Sequence, residues 1–226
     1  MNNLKVNEIS LRSSRLAIIA SCIALLALAS LHTLSPEFDP AWRMVSEYAN
    51  GNYGWMLSLM FAFWGIGAWA LVVVLWSQFK TTGGRVGLFF LIAAGIGEVM
   101  AALFDINSQP LHDIAGYIGI FSLPVAAMLI SVSLGLVPEW FAAKKLLLWT
   151  ANLTWVSVVL LIATFAVMIG SFIQSGVEID PQATITVLPP GVIGLVGWSN
   201  RFLIVVYCSW VITVAWQAIK IHKQSA

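Results

Sequence analysis

Five of the polar side chains within or next to the apolar stretches of this sequence are of types that could support chemistry. Glu98 and Arg201 lie well inside apolar runs, whereas His32, Asp105 and His112 lie near the ends of such runs. Carboxylates and imidazoles bind zinc and act as acids and bases. A guanidinium binds phosphate or carboxylate through a planar set of donors. These residue types therefore indicate either a binding pocket or a catalytic site.

Glu98 and Arg201 are expected to form an ion pair, directly or through a polar bridge. An unpaired charge inside a membrane costs at least a few kcal/mol, so such a side chain should face protein and have a partner. Both residues lie several positions from the same end of their predicted helices. The pair could fix the register of two helices, as buried ion pairs do in some proteins, or it could belong to a functional site.

No metal site and no cofactor are predicted from the sequence. If zinc were bound, its ligands would be His32, His112 and Asp105. No two histidines lie on one helix at the i, i+4 spacing of a zinc motif, however. A lone histidine near a membrane interface is more often an anchor that forms hydrogen bonds. The sequence also contains no nucleotide-binding loop and no pattern that indicates nucleic-acid binding.

The elements that carry these residues follow from composition. Of the 226 residues, 60% are hydrophobic and 9% are charged, whereas about 25% of residues in a soluble domain are charged. A membrane-spanning helix requires roughly 20 apolar residues. Six stretches qualify, at residues 16–34, 55–79, 86–104, 114–137, 146–173 and 192–219. The sequence therefore predicts an all-α membrane protein, with a single integral membrane domain over residues 1–226 built as a six-helix bundle.

The basic residues predict that both termini lie in the cytoplasm, because positive charge favours cytoplasmic loops. Nine of the eleven lie on one side of the predicted spans, namely Lys5, Arg12, Arg15, Lys80, Arg85, Lys144, Lys145, Lys220 and Lys223. Seven acids lie on the opposite side, namely Glu37, Asp39, Glu47, Asp105, Asp113, Glu178 and Asp180. The expected location is a bacterial cytoplasmic (inner) membrane, crossed several times.

The polar residues near the outer ends of the spans are predicted to share one outward-facing pocket. Glu98 and Asp105 are seven residues apart and therefore lie on one helical face. Three further side chains are expected at the same level, namely His32, His112 and Arg201. The polar segment 35–53, which contains Pro, Gly and aromatic residues, is expected to cover this pocket and to contribute Ser46 and Tyr48 to it.

Three segments resemble the motifs of a known family. They are SEYANGNYGW at 46–55, FDINSQPLHDIAG at 104–116 and GWSNRFLIVVYCSW at 197–210. The set is similar to that of the domain of unknown function 998 family, bacterial integral membrane proteins with six spans. The family pattern is matched at Ser46, Tyr48, Asp105, His112 and Arg201. The resemblance implies that these polar residues are not random intrusions, and it carries no established activity.

A looser similarity exists to membrane-embedded hydrolases of the alkaline ceramidase type. Those enzymes use a serine, an aspartate and three histidines around zinc. This chain has two histidines near the outer ends of its spans and lacks a paired histidine motif on its last span. The similarity therefore gives little support to metal-dependent hydrolysis.

The function that we predict is binding or sensing of a lipid headgroup or a small polar molecule, with membrane lipids as partners. An anionic group would suit Arg201, which binds phosphate and carboxylate well. The alternative is a membrane-embedded hydrolase that acts on a lipid, with His112 and the carboxylates as acid and base or metal ligands. A third hypothesis is a proton-coupled transporter that uses Glu98, although the residues on its cytoplasmic side are almost all apolar. Oligomeric state has no signature in the sequence.

Overall fold

The computed structural model describes residues 2–79, 81–177 and 186–224, and within these ranges it contains helices and no strands. The six long helices are α1 (Asn2–Leu34), α2 (Gly54–Leu75), α3 (Thr82–Leu103), α4 (Leu111–Leu134), α5 (Lys144–Gln174) and α6 (Val196–Gln224). Each contains a stretch long and apolar enough to cross a membrane. The predicted all-α class with six such helices is confirmed. Lys80, Glu178 and Asp180, used above for orientation, lie outside the described ranges.

Two of the predicted spans extend four residues beyond the helix that the structure contains. α2 ends at Leu75 rather than at residue 79, and α6 begins at Val196 rather than at residue 192. The apolar residues 192–195 are not helical, and the backbone N–H of Ile193 donates to Ser171 Oγ of α5 over 3.0 Å. Apolar length predicts burial in lipid or protein, but it does not by itself distinguish a helix from an irregular segment.

The six helices form a closed ring. Helices that are consecutive in the sequence pack together, α6 packs on α1, and α2 also contacts α6 across the ring. Because of this central contact, α1 lies on one side of the α2–α6 pair, and α3, α4 and α5 lie on the other. α3 and α4 approach closely, since a Cβ added at Gly97 would lie 2.4 Å from the backbone nitrogen of Gly119. Such backbone contact through small residues is typical of membrane helices.

Residues 35–53, which we call the cap, fold over one end of the bundle. We call this end the loop end; α1 begins and α6 ends at the opposite end, which we call the terminal end. The cap contains a 3-10 helix, Val45–Asn50, and its Phe38, Val45 and Tyr48 side chains join the hydrophobic core. Asn107, between α3 and α4, donates from Nδ2 to Asn50 Oδ1 over 2.9 Å. The cap is therefore a folded part of the bundle.

Candidate functional site

Arg201 connects three parts of the fold at the loop end. Its side chain is buried, and Nε donates to His32 Nε2 of α1 over 3.2 Å. Nη2 donates to the hydroxyl oxygen of Tyr48 in the cap over 2.9 Å. Nη1 donates to the carbonyl oxygens of Arg43 (2.7 Å) and Gly197 (3.0 Å). Every nitrogen of the guanidinium therefore has a protein acceptor, and the charge is stabilised mainly by neutral groups.

The sequence around Arg201 allows the cap to approach α6 closely. A Cβ added at Gly197, one turn before Arg201, would lie 2.4 Å from Pro40 O and 2.6 Å from Arg43 O. Glycine at this position therefore admits the cap carbonyls that accept from the guanidinium. Next to Arg201 in the sequence, Asn200 accepts at Oδ1 from the backbone N–H of Val45 over 2.9 Å. This bond holds the start of the 3-10 helix against α6.

His32 acts with Arg201 rather than with the other histidine of the predicted pocket. Its ring stacks on Trp198 with centroids 5.9 Å apart and meets Tyr48 edge-on at 6.3 Å. Because an arginine N–H can only donate, His32 Nε2 must be the acceptor of their bond and carry no proton. His32 and Arg201 also line a groove between α1 and α6. The imidazole therefore orients the guanidinium from the α1 side.

A cavity of about 550 Å³ lies on the other side of the α2–α6 contact. It is lined by α2, α3, α4, α5 and α6, with the 3-10 helix of the cap at the loop end. Most of its lining side chains are apolar, including those of Phe61, Trp64, Ile120, Leu161, Phe165 and Leu203. Its polar lining residues include Ser46, Glu98, Gln109, His112, Asp113 and Asn200. Ligand pockets measure about 300–1,000 Å³ and are mostly apolar with a few polar groups.

Glu98 lines this cavity and has no protein partner. The residue is 3% exposed, and neither carboxyl oxygen has a hydrogen-bond partner. The predicted ion pair between Glu98 and Arg201, direct or bridged, is therefore wrong. Arg201 is satisfied instead by the cap, His32 and its own helix. A buried carboxyl group without a partner is unfavourable, which makes Glu98 the most unusual polar group of the cavity.

The two charges are separated by their positions around α6. Asn200 lines the cavity together with Leu203 and Ile204, at i, i+3 and i+4 spacing. Arg201 instead lies on the face of α6 that meets α1 and the cap. Successive residues of an α-helix are rotated by about 100°, so neighbours in the sequence reach different compartments. The sequence places both charges near one end of the bundle, but it does not show which faces they share.

The other predicted site residues are divided between the cavity and the surrounding loops. His112 and Ser46 line the cavity, and His112 Nδ1 lies 2.9 Å from the carbonyl oxygen of Phe104, to which it donates. Asp105 accepts at Oδ1 from the backbone N–H of Asn107 over 3.0 Å and so stabilises the α3–α4 turn. The seven candidates thus form a cavity group (Glu98, His112, Ser46), an arginine group (Arg201, His32, Tyr48) and a turn residue, Asp105.

Sequence reasoning did not single out three residues that the structure places in the cavity wall. Asn200 and Asp113 are polar lining residues, and both lie inside the motifs quoted above. Asn200 precedes Arg201 and Asp113 follows His112 in the sequence, and this adjacency is the signal that could have identified them. Trp64 also lines the cavity, and its indole N–H is buried without an acceptor. Nothing in the sequence marks Trp64 among the eleven tryptophans.

No metal centre is formed by the side chains that the structure describes. Over residues 2–79, 81–177 and 186–224, no group of three His, Cys, Asp or Glu side chains is arranged to hold an ion. Each of the three zinc ligands named from the sequence makes a different contact. His32 contacts Arg201, His112 bonds to a backbone carbonyl, and Asp105 stabilises a turn.

Six apolar helices, five of which line a mainly apolar cavity, define a multi-pass membrane protein. A family model described as protein of unknown function (DUF998) matches residues 18–217. The match reaches into all six long helices, so the chain belongs to the DUF998 family, as its motifs indicated. No curated protein and no solved structure matches the chain.

Proposed function

We propose that this protein binds an amphipathic molecule, such as a lipid, in the cavity that is lined by helices α2 to α6. The observation that carries the proposal is the cavity of about 550 Å³ with the unpartnered carboxyl group of Glu98 in its wall. The apolar lining suits a hydrocarbon chain, and the polar residues near the loop end suit a head group. The ligand would therefore lie with its head towards the cap and its chain towards the bilayer centre.

The packing of α5 supports access to the cavity from the bilayer. All buried residues of α5 lie between Leu147 and Leu161, and none follows towards Gln174. In this second half of α5, Phe165 and Ile169 line the cavity while also being 43% and 45% exposed. Phe121 of α4, another lining residue, is 44% exposed. Side chains that face both cavity and lipid favour exchange of ligand between α4 and α5.

The proposal changes the expected role of Arg201. A preference for phosphate or carboxylate rested on this residue, but its nitrogens donate to His32, Tyr48 and backbone carbonyls. Glu98 is the buried carboxyl group in the cavity wall, and it lacks a partner. Binding of a lipid or small polar molecule is retained, in a cavity more apolar than the sequence indicated. A bacterial inner membrane, with the loop end outward, remains the proposed location on the distribution of basic residues.

No specific observation favours the two alternative functions. A lipid hydrolase would need His112 beside a carboxylate or among metal ligands, whereas its Nδ1 bonds to the Phe104 carbonyl. A proton-coupled transporter would need a polar path from Glu98 to the terminal end. The lining extends about 15 Å from the loop end in α2 (to Trp64) and in α4 (to Phe121), and about 24 Å in α5 (to Val158), at 1.5 Å per residue. None of these deepest lining residues carries a titratable group.

Native mass spectrometry of the protein in mild detergent tests the proposal. Gly116 lines the cavity, and a Cβ added there meets no atom within 4 Å, so Gly116→Leu fills the cavity without a clash at Cβ. Gly170 of α5 also has open space but does not line the cavity, and Gly170→Leu is the matched control. We expect wild type and Gly170→Leu to retain an amphipathic adduct that Gly116→Leu loses. Equal retention by all three proteins would mean surface lipid only and would contradict the proposal.

A further inference from the structure

We infer that the ligand carries a protonated amine head group, which contacts the carboxyl group of Glu98. The inference rests on the proposed function, because it names the chemistry of the molecule bound in the same cavity. Glu98 lies five residues before the end of α3, about 8 Å from the loop end at 1.5 Å per residue. The head group of a ligand that enters between α4 and α5 would reach this depth beneath the cap.

The charges that line the cavity are of one sign. Glu98 and Asp113 are the acidic lining residues, and no described lining residue is a lysine or an arginine. Asp113 is exposed in the first turn of α4, near the cap, whereas Glu98 is buried. Walls of one charge sign and low dielectric raise the local concentration of oppositely charged ligands. The arrangement favours a cation over an anion both at Asp113, near the cap, and at Glu98, within the cavity.

The neutral polar groups of the wall also favour acceptance. His112 donates from Nδ1 to the Phe104 carbonyl, which leaves Nε2 of a neutral ring as an acceptor. Neither oxygen of Glu98 has a hydrogen-bond partner, and in the ionised carboxylate both are acceptors. An ammonium group supplies three donors and a positive charge, so it would satisfy such acceptors and offset the cost of burying the carboxylate. A phosphate or carboxylate head would instead bring a second negative charge next to Glu98, which is unfavourable.

Aromatic rings lie at the level of Glu98. A Cβ added at Gly65, next to Trp64, would lie 2.8 Å from the carbonyl oxygen of Gly95, so this part of α2 faces the turn of α3 that carries Glu98. Trp64 and Phe61 stack with centroids 6.1 Å apart, and both line the cavity. The faces of aromatic rings attract cations within about 6 Å. The indole N–H of Trp64 is unpaired and could donate to an oxygen beside the amine.

Binding of three amphiphiles that share one chain length tests the inference. The chain has fourteen carbons, about the length of common acyl chains. The full-length protein is reconstituted in phosphatidylcholine nanodiscs, and radiolabelled tetradecylamine is competed by unlabelled tetradecylamine, tetradecanol or tetradecyl phosphate. Nanodiscs without protein give the background from partition into the bilayer. We expect saturable binding in which the amine competes at least tenfold better than the alcohol, and the alcohol better than the phosphate. A tenfold difference is about what one charge-assisted hydrogen bond contributes.

Two acid variants then assign the preference to the cavity. Glu98→Gln keeps the size of the side chain, and we expect it to remove the tenfold advantage of the amine while binding of tetradecanol is unchanged. Glu139→Gln changes an exposed acid that does not line the cavity, and it should leave both affinities unchanged. Gly116→Leu should weaken the amine and the alcohol alike, because it occupies the space of the chain.

The outcomes separate the inference from the proposed function. Equal affinity of wild type for amine and alcohol, or a preference for the phosphate, would overturn the inference even if Glu98→Gln could not be purified. Saturable binding of the alcohol that Gly116→Leu abolishes would leave the proposed function intact in that case. Phosphatidylethanolamine added to the nanodiscs tells the two sources of an amine apart. It lowers the apparent affinity for tetradecylamine if the natural ligand is a bilayer lipid and leaves it unchanged if the ligand is a free amphiphile.

Discussion

Arg201 donates a hydrogen bond from Nη2 to the hydroxyl oxygen of Tyr48 over 2.9 Å, and both side chains are buried. Tyr48 belongs to the cap and Arg201 to α6, so the bond joins the cover of the bundle to the helix that contacts α1, α2 and α5. The guanidinium carbon also lies 5.3 Å from the centroid of the Tyr48 ring. Arg201 therefore stabilises the wall of the cavity, and its charge is not available to a ligand there.

We expect Arg201→Met to destabilise the protein by about 2–4 kcal/mol, because each buried acceptor left without a donor costs about 1–3 kcal/mol. Tyr48, His32 and the Arg43 carbonyl would all lose a donor. For a chain of this length the loss corresponds to a decrease in Tm on the order of 10 °C. Thermal unfolding in detergent, followed by tryptophan fluorescence, measures the change.

Two matched variants separate geometry from charge at this position. Arg201→Lys keeps the charge, but a single ammonium cannot contact His32 and Tyr48 with the fork of a guanidinium, so we expect an intermediate Tm. Arg12→Met removes an exposed arginine that pairs with Glu8 on the surface of α1, and its effect should stay within about 0.5 kcal/mol. A Tm of Arg201→Met close to that of wild type would contradict the role assigned to this residue.

The fold could be predicted because the chain offers few alternatives to a helical bundle in lipid. Backbone groups in a bilayer must be paired within the protein, so long apolar stretches predict helices whatever their packing. The start of α6 was misplaced by four residues, since Val192 and Ile193 are as apolar as the helix that follows. Gly191, with φ of +88°, adopts a conformation that favours glycine before this segment.

The site was less predictable, because sequence spacing gives depth along a helix but not the direction of its neighbours. The sequence correctly places Glu98 and Arg201 near one end of the bundle, but it predicts an acid as the partner of Arg201. The cap supplies carbonyl and hydroxyl acceptors that cannot be recognised as partners in the sequence. The family motifs added Ser46 and Tyr48, which lie on the two sides of the cap, one facing the cavity and one facing Arg201.

The contact between α3 and α4 predicts opposite effects of adding one methyl group to two glycines. A Cβ at Gly97 would lie 2.4 Å from Gly119 N and 2.7 Å from Ala115 O, so Gly97→Ala must separate the helices. We expect it to destabilise the protein by about 1–3 kcal/mol, the usual cost of overpacking. Gly116→Ala adds its methyl group in open space. It should stabilise the helix by about 0.5–1 kcal/mol.

Thermal unfolding of both alanine variants under the same detergent conditions measures this difference. The comparison is controlled internally, since Gly97 and Gly116 both lie in membrane-spanning helices and receive the same substitution. Equal decreases in Tm would show that loss of glycine itself, rather than the close approach at Gly97, determines stability. That result would contradict the tight packing of α3 on α4.

The orientation of the bundle determines on which side of the membrane the polar end of the cavity lies. The distribution of basic residues predicts that the termini are cytoplasmic and the loop end is outside. Asn107 is exposed between α3 and α4 at the loop end, and Gln224 is exposed at the end of α6. Single cysteines at these positions, in a background in which Cys22 and Cys208 are replaced by alanine, report on the two sides.

We expect a membrane-impermeant maleimide to label Asn107→Cys in intact cells and to label Gln224→Cys only after the cells are permeabilised. The background protein without cysteines gives the control for non-specific labelling. The reverse pattern would place the cap, and with it the acidic lining residue Asp113, on the cytoplasmic side. A membrane potential that is negative inside would then favour movement of a cationic ligand towards the polar end of the cavity. In the predicted orientation, the polar end of the cavity lies instead at the outer leaflet. The labelling pattern therefore decides which leaflet supplies the cavity.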